Sequence, residues 1–237
     1  MNDTPAWPRQ RPSLTDAQMA ILEDWYGFWL PAMASQYGSI VRFNQEYAAR
    51  TAAPGLRTLE IGAGTGEHLL YESAASQEYY ALEFRPELAN RLSARFPGVR
   101  TIVGDCQNRI DVPDHSFDRV LAIHLLEHLA DLPKALDEVA RVLRPGGVFS
   151  AVIPCEGGVG YSLGRQVSSK KVFEKRYGIE YDWLISYDHV NRAREIIDEL
   201  KRRFDVTHRR FYPMRIPLID LNLVIGLTLT PRPAREK

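Results

Sequence analysis

Thr58-Leu59-Glu60-Ile61-Gly62-Ala63-Gly64-Thr65-Gly66 is the stretch that decides the fold of this chain. Leu59 and Ile61 carry a short apolar run into glycines on alternate positions, the pattern of a buried strand ending in a turn that leads into a helix. Glycine adopts positive φ and lets a ligand lie against bare backbone. Such a turn, at the carboxyl end of the first strand of an open α/β sheet, sits where ligands bind. A dinucleotide fingerprint would need its third glycine at position 67, where Glu67 stands. Glu60, just ahead of the turn, would repel a pyrophosphate and welcome a cation.

Further runs extend the pattern. Ala81-Leu82-Glu83 closes a second one, about one strand-helix-strand unit after Glu60, the separation at which an acid chelates ribose hydroxyls in nucleotide folds. Val103-Gly104-Asp105-Cys106 ends a third, and Ser116-Phe117-Asp118-Arg119-Val120-Leu121-Ala122 reads as a fourth. Leu143-Arg144-Pro145-Gly146-Gly147-Val148-Phe149 reads as the turn into a fifth. Helices are expected over 66–76, 86–95, 131–142 and 192–204, the last capped by Asp188 or Asn191. This alternation predicts a doubly wound, mostly parallel α/β sheet. Strands near 206–212 and 223–230 would complete seven strands, Rossmann-like, with a C-terminal antiparallel hairpin.

These motifs, in this order, resemble the class I S-adenosylmethionine-dependent methyltransferases over about residues 57–154. The resemblance implies S-adenosyl-L-methionine as cofactor. Its amino-acid end would lie in the turn at Glu60, Gly62, Ala63, Gly64 and Gly66. Glu83 would hold the ribose with Phe84 alongside, and Asp105 the adenine amino group, with the backbone of Cys106 near the ring. The expected reaction is in-line methyl transfer to a small-molecule or lipid- or sugar-linked acceptor, of the EC 2.1.1 type. A protein that binds the cofactor without transferase activity, as a regulator or partner subunit, is the alternative.

Ile123-His124-Leu125-Leu126-Glu127-His128-Leu129 follows the fourth run. In the resembled family this loop flanks the cofactor, which implies His124 beside the sulfonium and Glu127 and His128 shaping the pocket. The same residues match H-x-x-E-H, in which His124 and His128 would bind zinc with Glu127 as base. The position inside an ordered series of methyltransferase motifs argues against that zinc hydrolase, and no metal is expected. His124 and His189 are the candidate bases, needed only where the acceptor holds its proton at working pH.

Outside the motifs, residues 1–13 read as a flexible tail and 14–50 as a helical N-terminal extension. Thr15 and Gln18 form a capping box, and a break is expected near Pro31 or Gly38. The aromatic cluster from Ile21 to Met33 is expected to pack on the sheet. Residues 51–237 would form the methyltransferase domain, with an insertion at 155–186 over the acceptor side, rich in cations and aromatics that would suit a phosphate or acidic acceptor. Zero net formal charge excludes the basic face of a nucleic-acid partner, and two cysteines exclude a disulfide framework. No secretory leader and no membrane-spanning run is expected. A cytoplasmic monomer or homodimer is the expectation, with peripheral membrane contact left open.

Overall fold

The apolar runs form β1 (Arg57–Ile61), β2 (Glu78–Glu83), β3 (Arg100–Val103), β4 (Phe117–Ile123), β5 (Leu143–Pro154), β6 (Phe204–Tyr212) and β7 (Val224–Pro231). They make a seven-stranded sheet in the order β3-β2-β1-β4-β5-β7-β6. β1 to β5 are mutually parallel, and β7 runs antiparallel between β5 and β6. The fold is the mostly parallel, doubly wound one expected, with its antiparallel C-terminal strands. The computed structural model describes residues 6–232, apart from the side chains of Leu30, Pro31 and Ala34, so residues 1–5 of the expected tail lie outside the described residues. Residues 6–13 lie along the body, where Trp7 packs against the main core and Arg9 pairs with Glu195 at 2.6 Å.

The helices are α1 (Asp16–Gln36), α2 (Gly38–Ala49), α3 (Pro86–Arg95), α4 (Leu132–Val142), α5 (Val159–Val167), α6 (Ser169–Tyr177), α7 (Asp182–Asp188) and α8 (Ala193–Arg203). Helices cover both faces of the sheet, which is why its central strands are buried almost throughout, polar Thr58, Glu60 and Arg119 included. On one face Leu59, Ile61, Val120 and Ala122 meet α4 and α8 through Leu136, Val139, Ile196 and Leu200. On the other, Tyr79, Ala81 and Leu121 meet Phe43 and Tyr47 of α2 and Leu92 of α3. Among the described residues no helix is long and apolar enough to cross a membrane.

Three local expectations need correction. The helix over 66–76 is two short 3-10 turns, Glu67–Leu70 and Ala74–Ser76. Leu69 is the only buried apolar residue there, so no apolar stripe exists to hold a longer helix against the body. The capping box is present, with Gln18 N–H donating to Thr15 Oγ1 at 3.3 Å, and of the two expected break points α1 runs through position 31 and ends at Tyr37, beside Gly38. Neither Asp188 nor Asn191 caps α8. Arg192 holds the cap position, and buried Asn191 donates to the carbonyls of Leu126 and Leu129, both at 2.8 Å.

The third concerns the aromatic cluster, which packs on the insertion instead of the sheet. Trp25, 2% exposed, stacks on Trp29 at 4.9 Å and takes the edge of Phe173 of α6 at 5.1 Å. Leu22, Tyr181 and Leu184 complete this separate core. α2 takes the place on the sheet, so α1 is free to reach the insertion.

Candidate functional site

Strand order reverses in chain sense between β1 and β4, so their carboxyl ends splay helices apart and leave a crevice. The glycine turn lies there. Gly62 has φ +70, and a Cβ on it would meet Leu125 Cδ1 at 2.7 Å, which ties the turn to the loop after β4. Gly64 has φ +56 with only Glu67 Oε2 near the place of a Cβ, at 3.6 Å, so its backbone faces open space. Its N–H donates to Glu83 Oε2 at 2.9 Å, while Glu83 Oε1 accepts from Arg85 N–H at 3.0 Å. The tips of β1 and β2 are thereby joined by a carboxylate.

Other residues at these tips differ in exposure. Phe84 is 68% exposed, and Ala63 is buried. Asp105 sits beyond β3 and accepts from Gln107 N–H at 2.9 Å. Cys106 is buried, and burial together with Asp105 pushes its thiol up to about 12, which removes it as a nucleophile.

Glu60 lies beneath the turn, 4% exposed, where Oε2 accepts from Tyr79 O–H at 2.8 Å. Oε1 takes no hydrogen bond among the described residues. Burial raises its pKa, with His68, Tyr79 and Arg119 acting against the rise. Glu60 borders a closed polar network. Arg119, fully buried in β4, donates to both oxygens of Glu72 at 2.7 and 2.8 Å, to Thr51 Oγ1 at 2.8 Å and to the Ala48 carbonyl at 2.7 Å. His68 Nε2 lies 2.8 Å from Glu72 and Nδ1 2.9 Å from Gln45 Oε1. Burial opposes ionisation of Glu72, but His68 and Arg119 overcome it and hold the pKa at about 2.

The loop after β4 carries a second charged cluster. His124 has φ +49, a conformation that a side chain of this size rarely takes, and its Nδ1 lies 3.1 Å from Glu127 Oε1. Its Nε2 is buried without a partner, as is Glu127 Oε2. His128 Nδ1 lies 3.0 Å from Asp188 Oδ1, at the end of α7. Burial would lower the His128 pKa, but Asp188 outweighs it and raises it to about 9, while His128 holds Asp188 at about 2. His189 Nδ1 lies 3.0 Å from Glu156 Oε2, and Arg165 donates to both Glu156 oxygens at 2.8 and 2.9 Å. The structure thus brings His124 and His189, the two candidate bases, into one polar cluster.

Residues 59–151 match the family model described as a methyltransferase domain. An uncharacterized methyltransferase of Mycobacterium tuberculosis is 36% identical over 100 residues, covering 42% of this chain and 40% of the relative. The demethylmenaquinone methyltransferase of Renibacterium salmoninarum is 34% identical over 96 residues, 40% of each chain. The crystal structure of a TehB-like methyltransferase dependent on the same cofactor, from Corynebacterium glutamicum, superposes with a TM-score of 0.59 at 17% identity over 90% of this chain and 100% of that one. Residues 59–151 thus carry a methyltransferase domain, on the fold of the class I S-adenosylmethionine-dependent methyltransferases. The chain spans less than half the length of these two curated relatives.

Several residues near the expected site gave little sign of their role in the sequence. Glu156 and Asp188 orient His189 and His128 from other segments, and Arg165 is spent on Glu156. The available signal was Glu156 two residues past a strand end. Other cations of the insertion are also paired, Lys170 with Asp182 and Arg176 with Asp24. Lys171 and Lys175 stay exposed, and the insertion exposes apolar surface as well. Val159, Leu163 and Val167 are 61%, 63% and 76% exposed along one side of α5, near exposed Leu218 and Leu221.

Proposed function

We propose that this chain transfers a methyl group from S-adenosyl-L-methionine to a small-molecule acceptor with apolar surface, free or lipid- or sugar-linked. The observation that carries the reading is the Glu83 carboxylate bonded to the Gly64 N–H, beside the open space at Gly64, at the switch point of the sheet. Bare backbone and an acid at adjoining strand tips fit a nucleoside whose amino-acid end reaches into the turn. Glu83 would take the ribose hydroxyls, exchanging its bond to Gly64 for them, and Asp105 the adenine amino group. Glu60 Oε1, free of protein donors, would face the ammonium.

A bound sulfonium supplies an electrophilic methyl group. The protein's part is to align the acceptor, exclude water and, where the acceptor is a hydroxyl, hold its proton. His124 suits the last role, because its Nδ1 is oriented by Glu127 and its Nε2 is unpartnered. The exposed apolar side of α5 leaves the carboxyl end of β5 and supports an acceptor with apolar surface. The acceptor in the name of the Renibacterium relative, demethylmenaquinone, is consistent with that class. Equilibrium dialysis with labelled cofactor, followed by turnover against apolar hydroxyl and amine acceptors, tests both halves. No retention by folded protein would refute the reading, and retention without turnover would leave a cofactor-binding protein.

A further inference from the structure

Glu127, His128 and His189 each place a ligand atom within 4.8 Å of the others. Both imidazoles are oriented for donation. His128 Nδ1 faces two acceptors, the Asp188 carbonyl and carboxylate, each at 3.0 Å, so Nδ1 carries the proton there. His189 Nδ1 likewise faces the Glu156 carboxylate at 3.0 Å. A carboxylate on Nδ1 orients each ring so that Nε2 is the nitrogen left for a metal, which displaces any proton held there, the arrangement that supports metal-binding histidines. His128 Nε2 stands 3.9 Å from Glu127 Oε1.

The third donor supplies an independent sign. Glu127 is 1% exposed, His124 occupies its Oε1 at 3.1 Å, and Oε2 has no partner. A buried carboxylate oxygen left unpaired is costly, and a cation is the group that relieves it. The surroundings favour one, since the three carboxylates Glu127, Glu156 and Asp188 outnumber the two guanidiniums beside them, Arg165 on Glu156 and Arg11 on the His128 carbonyl.

We infer that Glu127, His128 and His189 form a binding site for a divalent transition-metal ion. Two imidazoles and one carboxylate suit zinc, iron or cobalt rather than calcium or magnesium, which prefer all-oxygen sets. Three protein ligands leave a position open, as in reactive rather than purely structural centres. Ligand bonds of about 2.0–2.2 Å require the donors to close to roughly 3.3 Å from one another, a side-chain adjustment. The set shares Glu127 and His128 with the H-x-x-E-H reading but replaces His124 by His189.

The test uses full-length protein stripped with a chelator and titrated with Zn2+ alone by calorimetry and with Co2+ alone by visible absorption, without cofactor. One equivalent of each ion is expected, with the Co2+ bands of a low-coordinate N/O site. His189→Gln and His128→Ala should each weaken binding by about 100-fold or more, and Asp188→Asn or Glu156→Gln by about 10- to 100-fold. Near-wild-type melting temperature shows that a variant is folded. A wild type that takes up no equivalent overturns the inference and leaves an ion-paired cluster, as does affinity unchanged in folded His189→Gln.

Discussion

Two clusters of the same residue types flank β4, and they are finished differently. Around Arg119 every nitrogen of the guanidinium, both oxygens of Glu72 and both nitrogens of His68 have partners. Around Glu127 a carboxylate oxygen and an imidazole nitrogen are buried without any. A closed network in a dry interior rigidifies the sheet and has nothing left to offer a ligand. The cluster with unused valences is the one placed to bind something. Between these two clusters it is the unsatisfied atoms, not the composition, that mark the difference.

The sharpest way to break this contrast is to remove Glu72. Glu72→Ala leaves the Arg119 charge buried alone and should lower unfolding stability by about 3–5 kcal/mol in urea titrations. Cofactor affinity of the folded fraction should stay near wild type. The wild-type network also sets an acid limit. The folded pKa of about 2 lies below the ordinary 4.5, so its stabilisation is complete above pH 4.5 and is lost as pH falls through about 2. Stability measured across that window should slope more steeply in wild type than in Glu72→Gln, and equal slopes would disconnect Glu72 from acid unfolding.

Changes at the crevice should show the opposite partition, with binding lost and the fold kept. Gly64→Val forces a β-branched residue into left-handed backbone and fills the open turn. It should cost about 100-fold or more in labelled-cofactor retention, with about 1–2 kcal/mol of stability. Glu83→Ala should weaken binding by about 1–3 kcal/mol, read as the dialysis Kd, and unchanged affinity would remove the ribose assignment. The smallest effect belongs to the apolar side of α5. Leu163→Glu should leave stability within about 0.5 kcal/mol and cofactor affinity intact, while kcat/KM for an apolar acceptor falls by about 1–2 kcal/mol.

Legibility in the sequence followed how far apart the partners lie. The glycine turn, Glu83 and Asp105 each end their own apolar run, so strand positions and the candidate cofactor residues could be read one run at a time. Arg119 gave no sign of its role, because a single cation in a strand-like run looks the same whether it points to solvent or to a Glu72 that lies 47 residues away. The pairing of His189 with Glu156 across 33 residues, and of His128 with Asp188 across 60, depends on where the insertion folds back. The helix expected over 66–76 failed for a related reason. His68 and Glu72 turn inward to bond distant groups, which local periodicity reads as polar surface.

The seating of Trp25 against Phe173 makes the first long helix and the segment after β5 a matched pair, although nearly 150 residues of chain separate them. Transplanting either piece alone from a relative would leave an indole facing a surface not shaped for it. Chimeras built to exchange acceptor preference within this family should carry both halves as one cassette, cut at Tyr37 on one side and at the two ends of 155–186 on the other.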